Sequence, residues 1–186
     1  KYSISIKKKI HLITMEKLLY VPSPFLRQKS KEIKAVGENE LKIASKMREI
    51  MINAPGVGLA ANQIGVLKQI VTISFIDQET KNEVNYNLFN PKILSYSKEK
   101  ILMEEGCLSL PEQFAKIERP EKIKIQYLND KNKLISKEVN GVEARILQHE
   151  IDHLSGKLFV DYLSSLKRNI IIKKAQKHLK KKYDER

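Results

Sequence analysis

Apolar side chains recur at Ile43, Met47, Ile50, Met51 and Ala54, one stripe at the helical period, and Pro55-Gly56 stops the pattern, so a helix is predicted over 37–54. The same period returns at Val142, with Ile146, His149 and His153 on one face and Leu147, Ile151, Leu154 and Leu158 on another, closed by Gly156. A third amphipathic helix is expected over 164–183, burying Leu166, Ile170, Ala175, Leu179 and Tyr183. Between the first two helices the pattern shortens to strand-like runs at 69–76, 84–89, part of 92–103, 114–117, 123–128 and 134–139, with a hairpin turn at Asn129-Asp130-Lys131-Asn132. Val21-Pro22-Ser23-Pro24 predicts a turn. Residues 55–65, with three glycines and two alanines, predict a loop whose backbone approaches something closely. A strand-rich middle framed by helices makes the fold class α+β, with mixed, mostly antiparallel sheets around the 142–154 helix and further helices near both ends.

Composition narrows the class. A chain of 186 residues suits one domain, and no apolar run approaches eighteen residues, so no membrane-spanning helix and no membrane partner are expected. The single cysteine, Cys107, cannot form an intramolecular disulfide, which points to reducing surroundings and leaves packing, metal binding or nucleophilic chemistry for the thiol. Lysine supplies most of the +13 net charge, 29 residues against 6 arginines. Such a field favours nucleic acid, ribosome or anionic membrane, but 23 isoleucines and 11 asparagines beside those lysines suggest an AT-rich coding sequence, which lowers the weight of total charge. The excess is concentrated after Ser165, where nine basic residues face only Asp184 and Glu185. Residues 1–14, with four lysines and no acid ahead of Met15, are expected to be a basic extension, read either as a transit-peptide remnant or as an ordinary N-terminal strand with a basic patch, and 15–186 a single catalytic domain.

His149-Glu150-Ile151-Asp152-His153 is an H-E-x-x-H element in a segment already predicted helical. Residues four apart lie one turn apart, so both imidazoles reach one cation while Glu150 faces a water on it. Two histidines leave a ligand to be found, and Cys107 is the candidate: Gly106 and Pro111 let its stretch bend a thiol towards a site built elsewhere.

Three segments in order, Gly56-Val57-Gly58-Leu59-Ala60-Ala61-Asn62-Gln63, Glu105-Gly106-Cys107-Leu108-Ser109 and Gln148-His149-Glu150-Ile151-Asp152-His153-Leu154-Ser155-Gly156, resemble the signature motifs of peptide deformylases, over nearly the whole chain from Met15. The helical tail resembles the bacterial and organellar branch. The resemblance implies that Cys107, His149 and His153 bind one divalent metal, Fe(II) in the cell with Zn(II), Ni(II) or Co(II) as substitutes. It further implies that Glu150 is the general acid/base, and that Gln63 and the backbone N–H of Leu108 form an oxyanion site. By the same resemblance Gly58 brings its backbone to the substrate, and Val57, Val142, Ile146 and Glu105 belong to the substrate-binding positions, Glu105 also pairing with Arg119 to hold the Cys107 loop. Asp152 is expected either to orient a ligand or to be solvated.

The implied reaction is removal of the formyl group from N-formylmethionyl nascent peptides, with formate released. The implied partner is the ribosome, through the basic tail, and no specific DNA. With the basic N-terminal segment, the expected compartment is an organelle with bacterial-type translation, a plastid or apicoplast ahead of a mitochondrion, with the bacterial cytoplasm as the alternative. Phe114 departs from a position where relatives often carry arginine near the substrate groove, and Arg145 from one that is often aliphatic. Two rival readings are weaker. A metallopeptidase leaves the Cys107 and Gln63 motifs idle, and a basic nucleic-acid-binding module predicts no metal.

Overall fold

The computed structural model describes residues 17–78 and 80–184, so the extension expected at 1–14, with Glu185 and Arg186, lies outside the described residues. Helix α1 spans Glu38–Asn53, and strands β1 (Gly58–Ala60), β2 (Ile70–Ile76), β3 (Glu83–Tyr96), β4 (Lys100–Cys107), β5 (Leu110–Pro120), β6 (Lys122–Leu128) and β7 (Leu134–Asn140) follow. Helix α2 is Gly141–Leu154 and α3 is Ser165–Asp184, with single 3₁₀ turns at Pro24–Arg27, Ala61–Ile64 and Phe159–Tyr162. The strands form a five-stranded sheet in the order β1-β2-β3-β6-β7 and a separate β4-β5 ribbon, every named pair antiparallel. The fold is the expected α+β arrangement.

Helix α1 begins where Gly37 donates its backbone N–H to Glu40 Oε2, 3.2 Å away, and Glu38 and Glu40 place negative charge at the positive end of the helix dipole. Its buried Ile43, Ala44, Met47 and Met51 pack with Leu59, Ile70 and Phe89. Burying the three larger side chains contributes roughly 1.5–3 kcal/mol each. The opposite face of the sheet covers α2: Val71, Ile73, Phe75, Ile123, Ile125 and Tyr127 meet Ala144, Ile146, Leu147 and Leu154. Strand β6 shows the cause in its alternation, Ile123, Ile125 and Tyr127 turned in between Lys122, Lys124 and Gln126. A third cluster, with Leu110, Ile117, Leu158, Phe159, Val160 and Ala175, seats the ribbon and α3 on the body.

Several expected boundaries move. Strand β3 continues through Asn90-Pro91, where the pattern suggested a break: Asn90 takes φ +50 at a register shift, and its amide is locked to Ile33 by two 2.8 Å hydrogen bonds, so the bulge absorbs the proline. The chain leaves that sheet after Tyr96 and enters the ribbon at Lys100. Residues 55–65 are no simple loop, since they include β1 and a 3₁₀ turn. Leu158 is buried but lies beyond α2, after Gly156 has turned the chain in the left-handed region at φ +74, where an added Cβ would collide with the Arg27 backbone.

The stripe expected on the last helix is rotated. Leu166 and Ile170 are exposed, while Ala175 is buried and Ile171 and Ile172 pack beside it against the third cluster. Leu179 is half-buried. An amphipathic pattern rich in lysine fixes the period of a helix but only weakly its phase, because lysine stems cover apolar surface from either side.

Candidate metal and catalytic site

Helix α2 buries nine of its fourteen residues, among them Arg145, Gln148, His149, Glu150 and His153. Polar side chains taken out of water at this density require partners or a ligand. His149 and His153 lie on one face, their Nε2 atoms 3.3 Å apart. The ribbon brings Cys107 Sγ to 3.2 Å from His153 Nε2, and the three donor atoms all fall within 4.8 Å of one another. Around a tetrahedral ion with ordinary metal–nitrogen and metal–sulfur bonds, two nitrogens stand about 3.3 Å apart and a nitrogen and sulfur about 3.6 Å apart. The donor set therefore fits one borderline divalent ion.

The two imidazoles sit in opposite electrostatic surroundings. Burial alone would lower the basicity of His149, but Cys107 and Glu105 outweigh it and hold the imidazole well above its ordinary value. Burial, and then repulsion from His149, keeps His153 well below. Among the described residues no other group of three such side chains converges in this way.

Glu105, two residues before Cys107, accepts from His149 Nδ1 at 2.9 Å and from the Arg119 fork at 2.6 and 3.0 Å. Burial would raise its carboxyl, but His149 and Arg119 hold it far below the usual carboxylate range. The expected Glu105–Arg119 pair forms. A place for Glu105 in the substrate wall does not agree with the structure, because its side chain is 3% exposed and both oxygens are engaged behind His149. Asp152 is not simply solvated: it accepts from Arg119 Nη1 and from Tyr162 Oη, each at 2.7 Å, and anchors the outer end of the arginine.

Gln63 sits on the 3₁₀ turn after β1. Its Oε1 accepts the Ala60 N–H at 2.8 Å, so Nε2 is the end aimed at the site, 3.1 Å from Ser109 Oγ and 3.6 Å from Cys107 Sγ. Glu150 is buried, its Oε2 is without a hydrogen-bond partner, and burial pushes its carboxyl up to about 7. Gly58, opposite, has no room for a side chain, since an added Cβ would lie 2.6 Å from Glu150 Oε1 and 2.9 Å from Ile146 Cγ2. Its strand is the terminal one of the five, so one backbone edge of β1 has no strand beside it in the sheet.

Ile146 is buried, Val57 and Val142 are about half exposed, and Leu108 is partly buried against the α1 cluster. Phe114 pairs with Gly106 across the ribbon and rests its ring over that glycine. By strand alternation it shares the exposed face with Leu102, Lys116 and Glu118, not the face that carries Glu105. Arg145, marked in the sequence only as an oddity, is buried and reaches Glu105 Oε1 at 2.8 Å. Its position four residues before His149 was the available signal, since side chains at that spacing reach for the same neighbour. Tyr162 carried no such signal, and Ser109 only its place in the Glu105–Ser109 segment.

Comparison with known proteins adds a lineage. A sequence profile described as polypeptide deformylase matches residues 15–169. A peptide deformylase from Agrobacterium fabrum is 43% identical over 165 residues, 89% of this chain and 96% of that protein. Among solved structures, a peptide deformylase from Ehrlichia chaffeensis superposes with a TM-score of 0.85 at 36% identity, covering 90% of this chain and 98% of that one. A plant peptide deformylase superposes with a TM-score of 0.78 at 34% identity, over 92% of both chains.

Proposed function

Since the chain belongs to the polypeptide deformylase family, we propose that it hydrolyses the formamide of N-formylmethionyl nascent peptides, cleaving the C–N bond to leave formate and a free α-amine. The observation that carries this reading is the meeting of Cys107 Sγ with two imidazole Nε2 atoms beside the amide of Gln63 and the buried carboxyl of Glu150. Cys107, His149 and His153 would hold a divalent ion, Fe(II) in the cell, with Zn(II), Ni(II) or Co(II) able to occupy the same donors. Such an ion supplies Lewis acidity and a water activated near neutral pH.

The protein's own groups then divide the work. Glu150 takes the proton from the attacking water and delivers it to the departing amine. Its elevated basicity suits both transfers, because the carboxylate is a better base than an exposed one and its acid form persists near neutrality. The Gln63 N–H, oriented by the Ala60 bond, and the Leu108 N–H donate to the oxygen that becomes negative as the carbonyl turns tetrahedral. Gly58 presents the open edge of β1 to an extended peptide, and Val57, Ile146 and Val142 offer the apolar wall for a methionine side chain.

The deciding assay compares formyl-Met-Ala with a blocked, unformylated peptide, using protein purified without oxygen. Formate release from the first alone, abolished by a chelator and restored by Fe(II) or Co(II), is expected. Cleavage of the unformylated peptide would instead mark a metallopeptidase.

The substrate requires a compartment where translation starts with formyl-methionine. Named relatives from Agrobacterium, Rhizobium and Pelagibacter are bacterial, which favours the bacterial cytoplasm; these three do not support the organelle expected from the N-terminal segment. The basic α3 would dock on ribosomal RNA through exposed Lys173, Lys177 and Lys180. Cutting the chain before α3 would also remove buried Ala175, so charge reversal is the cleaner test. Glutamate at those three positions should abolish cosedimentation with ribosomes at low salt and spare turnover of short peptides. Undiminished cosedimentation would remove the docking role.

A further inference from the structure

The geometry points to Arg145 as a positioning residue that sets the Cys107 ribbon in register with the histidine helix by acting through Glu105, a role that rests on the metal-site reading above. Arg145 and His149 stand four residues apart on α2 and grip the two oxygens of one carboxylate, Arg145 Nη1 on Oε1 at 2.8 Å and His149 Nδ1 on Oε2 at 2.9 Å. Glu105 lies two residues before Cys107 in β4. A carboxylate held at two points of a helix fixes the phase of its strand against that helix, and with it the distance from Sγ to both Nε2 atoms.

The remaining donors of Arg145 extend the grip. Nη1 also donates to Ile117 O on β5 at 2.9 Å, and Nη2 donates to Ile101 O on β4 at 2.6 Å, so one guanidinium ties both strands of the ribbon to α2. Arg119 holds Glu105 from within the ribbon, being itself on β5, and reaches α2 only through the partly exposed Asp152. Arg145 is the inner pin, 8% exposed, and Arg119 with Asp152 the outer one. Arg119 faces the carboxylates of Glu105 and Asp152, and Arg145 that of Glu105, so neither guanidinium is left as an unpaired buried charge. A planar fork reaching one carboxylate and two carbonyls is a task for arginine and not for the point charge of lysine.

The test is a double-mutant cycle read by Co(II) binding to metal-free protein, with the thiolate-to-cobalt absorption reporting whether Cys107 joins the histidines. R145M should weaken Co(II) binding by about 10–100-fold and alter that absorption. Combined with E105A, which removes both acceptor oxygens, the same substitution should change affinity by no more than about twofold, because the carboxylate it acts through is gone. R145K, run through the same cycle in case R145M folds poorly, should recover little of the loss. An equal fall with and without Glu105 would overturn the proposal and make Arg145 a support for the Ile101 and Ile117 carbonyls alone, as would affinity and absorption unchanged in R145M. Failure of the wild-type protein to bind Co(II) at all would defeat the metal-site reading first, and is distinguishable because it needs no variant.

Discussion

Glu150→Gln is expected to bind metal as fully as the parent chain and to deformylate formyl-Met-Ala at least about 100-fold more slowly, the range in which positioned acid–base groups contribute. The carboxamide has the same shape, so the close contact with Gly58 is preserved and Cys107, His149 and His153 are untouched. What is lost is the capacity to take and return a proton. The pH profile supplies a second readout. A carboxyl pushed up to about 7 holds its proton below that pH and cannot act as a base, so kcat/KM of the parent should fall as pH is lowered through the Glu150 titration. A bound cation would move that limb to lower pH without removing it, and the residual activity of the Gln variant should lack it. Turnover near the parent level in a metal-replete Gln variant would show that another group is the base.

Gln63→Leu should likewise keep its metal and lose about 100–1,000-fold in kcat, the cost of removing one preorganised donor from an oxyanion site. The structure adds a second consequence. Gln63 Oε1 is the acceptor for the buried Ala60 N–H, so leucine also orphans a backbone donor, at a stability cost of about 1–3 kcal/mol. Gln63→Glu separates the two effects, since it keeps an acceptor for Ala60 and removes the N–H pair aimed at Cys107. Both variants should lose activity, the glutamate variant while its oxygen still accepts from the Ala60 N–H, and both should melt earlier, the glutamate variant because its buried carboxyl meets no cation. A kcat within a few-fold of the parent for both would dismiss Gln63 from transition-state stabilisation.

The sequence made the outline legible where a signal is local. The stop at Pro55-Gly56, the alternation of Ile123, Ile125 and Tyr127 and the i,i+4 histidines each follow from backbone geometry over fewer than ten residues, and each element is found with ends shifted by a few residues. Local patterns failed where a long-range partner decides. Asn90-Pro91 looks like a break until Ile33 arrives to hold the bulge, and Leu158 continues a helical stripe until Gly156 turns the chain under Arg27. Leu166 and Ile170 look buried until the ribbon and the Phe159–Tyr162 turn select the other face of α3.

By itself, then, the sequence determined which residue types are available for chemistry and on which elements they ride: two imidazoles and a carboxyl on one helix, a lone thiol after a flexible glycine, an amide after a glycine-rich segment. Motif resemblance could also assign them roles, because a reaction constrains ligand types and their order along the chain. Only the tertiary structure decided what stands behind them. Glu105 moves from the substrate wall to the back of His149, and Arg145 from an oddity to the tie between ribbon and helix. The reason is that a buried charge is tolerated only where opposite charge and hydrogen bonds meet it, and here those partners come from β4, β5 and α2, up to 44 residues apart along the chain. No local pattern records that meeting, because packing of the ribbon on the helix is what creates it.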